Sequence, residues 1–270
     1  RHTRCLSDWS SDVCSSDLTN FPYLRSIWAK NTSEESLLGV SLTGIMDNPL
    51  TANPDPDLLI RLRQHAVDVN GMYAPRFNIN TAAAITCVKP SGTVSQLVDS
   101  ASGIHARHSR YYIRRVRGDN KDPLTQFMIQ SGVPSEPDVM KPHNTTVFSF
   151  PMKAPEHGVL RDAMSAIEQL EVWLKYARYW CEHKPSVTIS VKEQEWPDVG
   201  AWVWKYFDEI SGVSFLPHDG GTYKQAPYEE CTKEQYEQLL ATMPDNIDWD
   251  SLNEDDDNVE GAQQLACSAG

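Results

Sequence analysis

The stretch TCVKPSGTVSQLVDSASGIH, Thr86 to His105, holds the residues best suited to chemistry. A β-branched and apolar run from Ala82 to Val88 stops at Lys89-Pro90. Ser91, Gly92 and Thr93 follow, and then Val94, Leu97 and Val98 fall on one side of a short helical pattern. A strand that ends in such a turn and restarts as a helix leaves the backbone N–H groups of Gly92, Thr93 and Val94 unpaired and facing outward. Those donors and the helix dipole favour an anion. Gly92 lets a ligand approach the backbone closely. The chemistry indicated at Pro90, Ser91, Gly92, Thr93 and Val94 is phosphate binding. The same residue types also serve a plain tight connection, and the G-x-x-x-x-G-K-[ST] spacing of a Walker loop is missing.

Other reactive residues carry two readings each. Cys87, at the strand's end, is a redox thiol beside the turn or a small buried hydrophobe. His105 and His108 lack a carboxylate or cysteine at ligand spacing, so no metal site is expected. Arg107, Arg110, Arg114, Arg115 and Arg117 clamp a second phosphate or an effector, or they line a solvated strand face. Cys267 lies in QQLACSAG, where a thiol has no packing role. It suggests disulfide exchange with another site, or chance exposure near the chain end.

The elements that must position these groups are legible as patterns. Ser33 to Asp47 (SEESLLGVSLTGIMD) is an apolar stretch with Gly39 and Gly44. A loop over Asn48 to Pro56 precedes a helix over Leu58 to Tyr73 capped by Asp57, with Leu58, Leu59, Leu62, Ala66, Val69 and Tyr73 on one face. Strands are expected over Ile79 to Val88, Asn144 to Met152 (ended by Pro151), Ser186 to Val191 and Gly212 to Pro217. Helices are expected over Ala163 to Cys181 and from Pro197, whose core face would be Val199, Trp202, Val203, Tyr206, Phe207 and Ile210. This alternation implies an α/β layer with parallel pairing.

Composition narrows the function. The net charge is −13 over 270 residues. Eight acidic residues and no Lys or Arg fall between Asp245 and Gly270, so well over half of that charge sits there. A general nucleic-acid surface is therefore not expected, and residues 245–270 read as a flexible acidic tail. No apolar run reaches the roughly 18 residues of a membrane span, and no segment has the shape of a signal peptide. The six cysteines include no C-x-x-C pair, and they read as reduced thiols of a cytoplasmic protein. Asp8 to Leu18 matches the translation of a common sequencing adapter. Residues 1–18 are accordingly expected to be an assembly artefact, with Cys5 and Cys14 chemically idle.

Six segments in shared order resemble the adenosylcobalamin-dependent (class II, monomeric-type) ribonucleoside-triphosphate reductase family. They are GVSLTGIMD (Gly39 to Asp47), Thr86 to His105, YYIRRVR (Tyr111 to Arg117), NTTVFSFP (Asn144 to Pro151), SFLPHDGGTYKQAPYE (Ser214 to Glu229) and the ACSAG tail. The resemblance covers about residues 19–270. It implies the C-terminal half of a ten-stranded α/β barrel over 19–244, followed by a redox tail over 245–270. It also implies an adenosylcobalamin cofactor, a ribonucleoside triphosphate substrate held by the turn at Pro90 to Val94, and a thiyl radical that abstracts the ribose 3′ hydrogen. A cysteine pair then becomes a disulfide, and tail cysteines re-reduce it by exchange with a thioredoxin-like or dithiol reductant. Cys267 matches the first of those tail cysteines.

The departures from the family pattern are specific. Its Asn-Pro-Cys-Gly-Glu radical motif does not occur in this sequence, and the second tail cysteine would fall two residues past Gly270. Cys87, Cys181 and Cys231 match no catalytic position. The expectation is a fragment without reductase activity by itself. Two other readings remain open: a class I or anaerobic reductase large-chain fragment, which shares the barrel and a similar turn, and a non-catalytic nucleotide-binding module.

Overall fold

The structure is a computed structural model that describes residues 24–252, apart from residues 90, 92–94, 96–97 and 219–222. The described chain forms two units, residues 24–107 with 156–218 and residues 108–155 with 223–252. The sequence patterns had drawn residues 19–244 as one piece of barrel.

The first unit is the α/β layer. Helix α1 (Ser26–Glu35) leads to β1 (Val40–Ser41), a short α2 (Pro49–Ala52) and a long α3 (Pro56–Tyr73). Asp55, not Asp57, caps α3: its carboxylate accepts from the Asp57 N–H at 3.2 Å, and Pro56 takes the first turn where no N–H is needed. Of the expected apolar face only Leu59 is fully buried, with Leu62, Val69 and Tyr73 still open to solvent. The expected strand over Ile79 to Val88 contracts to β2 (Thr86–Cys87), which pairs in parallel with β1 through Val40↔Thr86 and Ser41↔Cys87.

The same unit resumes with α5 (Ala166–Tyr179), β6 (Val187–Val191), α6 (Trp196–Lys205) and β7 (Val213–Pro217). Ser165 and Glu168 close a capping box that starts α5 three residues later than the sequence suggested. Strands β6 and β7 are parallel from Val187↔Val213 to Val191↔Pro217, joined through α6 as a parallel pair requires. The core gathers Ile45, Leu59, Val88, Leu170, Trp173, Tyr176, Ile189 and Val191. Its aromatic polar atoms are satisfied: Tyr176 donates to Thr51 O at 2.7 Å, Trp180 Nε1 to Cys87 O at 2.7 Å and Trp173 Nε1 to Pro185 O at 3.3 Å. Phe207 lies past the end of α6 and is exposed, so it does not join the expected core face.

The second unit departs from the parallel expectation. Its four strands, β3 (Tyr111–Asp119), β4 (Ser135–Pro137), β5 (Thr145–Lys153) and β8 (Tyr228–Glu230), form an antiparallel sheet in the order β4-β5-β3-β8. Helices α4 (Pro123–Gln130) and α7 (Lys233–Ala241) complete it. Pro151 does not end β5; the strand runs two residues further, with Pro151 opposite Ile113. Ser149, in phase with Pro151, donates its N–H to Pro134 O on the β4 side. Beyond that point β4 has ended, so the N–H that Pro151 lacks would have met no partner. The first residues of the acidic segment are also ordered: Trp249–Ser251 make a 3-10 turn, and the Trp249 ring lies 5.5 Å from that of Phe127.

Two glycines of the first unit set up a paired test. Gly212 has φ +59, and a Cβ there would sit 2.6 Å from Pro185 O. Gly200 lies within α6, with nothing within 4 Å of a built Cβ. Gly212→Ala is expected to destabilise the chain by at least about 1 kcal/mol. Gly200→Ala should stabilise it by about 0.5–1 kcal/mol. Urea unfolding midpoints of both variants check the opposite signs.

Candidate functional site

The loop that reaches Ser91 is built around a buried guanidinium. Arg107 has 3% of its side chain exposed, against 16% for its partner Asp47. Arg107 Nε donates to Asp47 Oδ1 at 2.9 Å and its terminal nitrogen to Asp47 Oδ2 at 2.8 Å, a two-pronged pair. The same guanidinium donates to the Asp99 carboxylate at 3.2 Å and to Asp99 O at 2.6 Å. Asp47 also accepts from Ala101 N–H at 2.7 Å.

Around this latch, the Gly44 to Asp47 turn and the loop 99–107 are laced together. Gly44 N–H donates to Ala101 O at 2.8 Å and Ile45 N–H to Gly103 O at 3.2 Å. Thr43 Oγ1 donates to Ala101 O at 3.1 Å and accepts from Gly103 N–H at 3.0 Å. Gly44 adopts φ +68, and a Cβ there would press on Ser100 at 3.1 Å, so glycine suits this close approach. A third segment joins: Val159 N–H donates to Met46 O, and Val159 O accepts from Arg107 N–H, at 2.8 and 2.9 Å.

From this frame the loop reaches the turn. Ser91 N–H donates to Ser102 Oγ at 3.1 Å, and Ser91 Oγ accepts from Ser95 N–H at 2.9 Å. Ser95 is fully buried, and its hydroxyl returns a bond to Ser91 O. The Ser91 hydroxyl thus accepts from the Ser95 N–H, and its own hydrogen donates to no described group. Pro90, Gly92, Thr93 and Val94, also expected to bind phosphate, lie outside the described residues, as does Cys267. Val98 was expected on the apolar side of a helix; it is 65% exposed in a turn.

The other candidates resolve into structure. His105 Nδ1 donates to Ser102 O at 3.0 Å, and its Nε2 accepts from Thr188 N–H at 3.0 Å. That arrangement requires the neutral ring, and desolvation, outweighing the Ser102 bond, lowers its pKa below the ordinary 6.5. Cys87 is fully buried. Burial, and then the neighbouring Cys87, push the Cys181 thiol up to about 12, so neither reads as a ready nucleophile.

The arginine run is neither one clamp nor one solvated face. Arg107 belongs to the latch, Arg115 pairs with Glu229 at 2.5 Å and Arg117 with Asp138 at 2.8 Å. Burial alone would raise the Asp138 pKa, but hydrogen bonds from Arg117, Lys141 and Met140 hold it below the usual carboxylate value. Sequence reasoning missed Asp47, Asp99, Ser95 and Ser102. All four lie in segments that drew notice, Asp47 as the last residue of GVSLTGIMD and the other three within Thr86 to His105.

Two outcomes follow from this geometry. Arg107→Ala would strand Asp47 and is expected to cost about 3–5 kcal/mol, whereas Asp47→Asn, which keeps an acceptor for Ala101 N–H, should cost less; urea titrations check the order. Because the folded pKa of His105 is lowered, its contribution to stability is complete above pH 6.5 and is lost as pH falls below that value. The drop in stability between pH 7.5 and pH 5.5, measured by unfolding at each pH, should shrink in His105→Asn.

No protein-family model matches the chain. Curated relatives do. A Lactobacillus gasseri protein named adenosylcobalamin-dependent ribonucleoside-triphosphate reductase is 30% identical over 94% of this chain and 38% of its own length. A Euglena gracilis protein of the same name is 33% identical over 70% of this chain and 26% of its own length. A crystal structure of a B12-dependent (class II) ribonucleotide reductase superposes with a TM-score of 0.69 at 26% identity, covering 87% of this chain and 36% of that one. The described α/β architecture is thus shared with a solved reductase. The chain belongs to the adenosylcobalamin-dependent ribonucleoside-triphosphate reductase family and spans between 26% and 38% of the length of these relatives.

Proposed function

We propose that this chain is a segment of an adenosylcobalamin-dependent ribonucleoside-triphosphate reductase, and that the turn at Pro90 to Val94 receives the substrate's phosphates. The observation that carries the reading is the similarity to the Lactobacillus gasseri reductase over 94% of the chain. Physical support comes from the latch, which fixes Ser91 through Ser102 and leaves the Ser91 hydroxyl hydrogen available to an oxyanion. In this reading the N–H groups of Gly92, Thr93 and Val94 supply the remaining donors. The parallel pairs β1/β2 and β6/β7 would be consecutive parts of the ten-stranded barrel's C-terminal half.

The remaining parts of the reading rest on the relatives. The whole enzyme would reduce a ribonucleoside triphosphate as a cytoplasmic monomer, with cobalamin starting the radical chemistry. Among the described residues no group of three His, Cys, Asp or Glu gathers as a metal site, and both ring nitrogens of His105 are engaged. Cys267 would carry electrons from a thioredoxin-like or dithiol reductant to the disulfide left by each turnover, by thiol–disulfide exchange.

Titration of the purified chain with a ribonucleoside triphosphate tests the site. Ser91→Ala and Thr93→Ala are each expected to weaken binding by about ten-fold, the scale of one charge-assisted hydrogen bond. Binding that is unchanged in both variants would favour a nucleotide-binding module that uses another surface.

A further inference from the structure

The sequence run YYIRRVR contributes one arginine that the ion pairs leave over. Arg115 and Arg117 face carboxylates, but Arg114 donates to no oxygen among the described residues. Its guanidinium carbon lies 4.4 Å from the centre of the Tyr228 ring, and its Nε is shielded from solvent without a partner. A shielded donor left unmet costs about 1–3 kcal/mol, so its persistence here needs a physical reason.

The surroundings supply one. Arg114 stands directly across from Tyr228 in the β3/β8 ladder, and Tyr112 stands across from Glu230. These four therefore share one face of the sheet. The His108 ring is stacked 5.7 Å from Tyr228 and lies 6.0 Å from Tyr112, while the two tyrosine rings are 6.0 Å apart. An aromatic face holds a guanidinium in place without using its N–H groups. The two terminal nitrogens, rather than the shielded Nε, then stay free for two parallel bonds to an oxyanion.

We propose that Arg114, held against Tyr228 beside Tyr112 and His108, binds an oxyanion, a phosphate or carboxylate group of a small ligand. This site belongs to the second unit and does not depend on the reading of the Ser91 turn. Glu230 is the charged residue that shares the face, and it makes no bond to Arg114. Its carboxylate opposes an incoming anion, as does the chain's net charge of −13. Selection must then rest on the geometry of the fork.

Phenylglyoxal, which modifies accessible guanidinium groups, gives a readout at Arg114 itself, so phosphate bound elsewhere does not register. The intact chain is treated at constant ionic strength with increasing inorganic phosphate or acetate, and modification is followed peptide by peptide by mass spectrometry. Arg61, exposed on α3 in the other unit, is the internal control. Saturable protection of Arg114 without protection of Arg61 is expected. A stronger effect of phosphate assigns a phosphoryl ligand, and a stronger effect of acetate assigns a carboxylate. Glu230→Gln should lower the half-protecting concentration by about two- to five-fold, as removal of a nearby exposed charge implies. Failure of Arg114 to react, or protection no greater than at Arg61, would overturn the proposal.

Discussion

A guanidinium as deeply enclosed as that of Arg107 must be neutralised where it sits, because an unpaired charge in that setting is far more costly than any packing gain around it. Asp47 and Asp99 meet that demand from 60 and 8 residues back along the chain, and the consequences spread outward. Asp47 can reach Arg107 only if Gly44 turns with a positive φ beneath Ser100. Asp99 reaches it from a turn in which the Ser100 N–H donates back to Ser95 O. Once both are in place, Thr43, Ala101 and Gly103 find their hydrogen-bond partners. Ser91 is then tied through Ser102 to a loop with little freedom left.

What could be read from the sequence was local. The parallel strands at Val187 and Val213 and the helix over α5 follow from residue type and short-range periodicity, while the Ser165 cap that fixes where that helix starts was missed. Asp55 rather than Asp57 caps α3 because Pro56 occupies the first turn, a shift within the ordinary uncertainty of a helix end. The long-range pairings were hidden by distance along the chain. Asp47 and Arg107 are 60 residues apart, and Arg115 meets Glu229 across 114. A run of arginines looks uniform until the partners arrive, so no reading of residues 107–117 alone could separate the latch from the ion pairs and from Arg114.

The same distinction separates the two units. In the first, β-branched runs sit between helices and pair in parallel, as alternation implies. In the second, β3 and β5 are joined by a helix and a short edge strand, which resembles the same alternation in one dimension. The antiparallel register emerges only from which residues face each other, such as Tyr112 with Met152 and Val116 with Phe148. Pro151 misled for a related reason: a proline breaks a ladder only on the side where a partner waits.

The interleaving of the units, with residues 108–155 placed between two parts of the first, has a consequence for how the chain folds. During synthesis from the N-terminus, β3 and β5 emerge together and can pair at once, because both lie within the same stretch. The first unit is completed later: β1 and β2 precede that stretch, but β6 and β7 appear only after it has left the ribosome. The edge of β3 that will receive β8 must wait longer still, until Tyr228–Glu230 are made. An open strand edge and a half-built parallel layer therefore coexist for much of translation. Long-range pairings of this kind close slowly, and slow closure with an exposed edge is the circumstance in which chains associate with one another or engage chaperones.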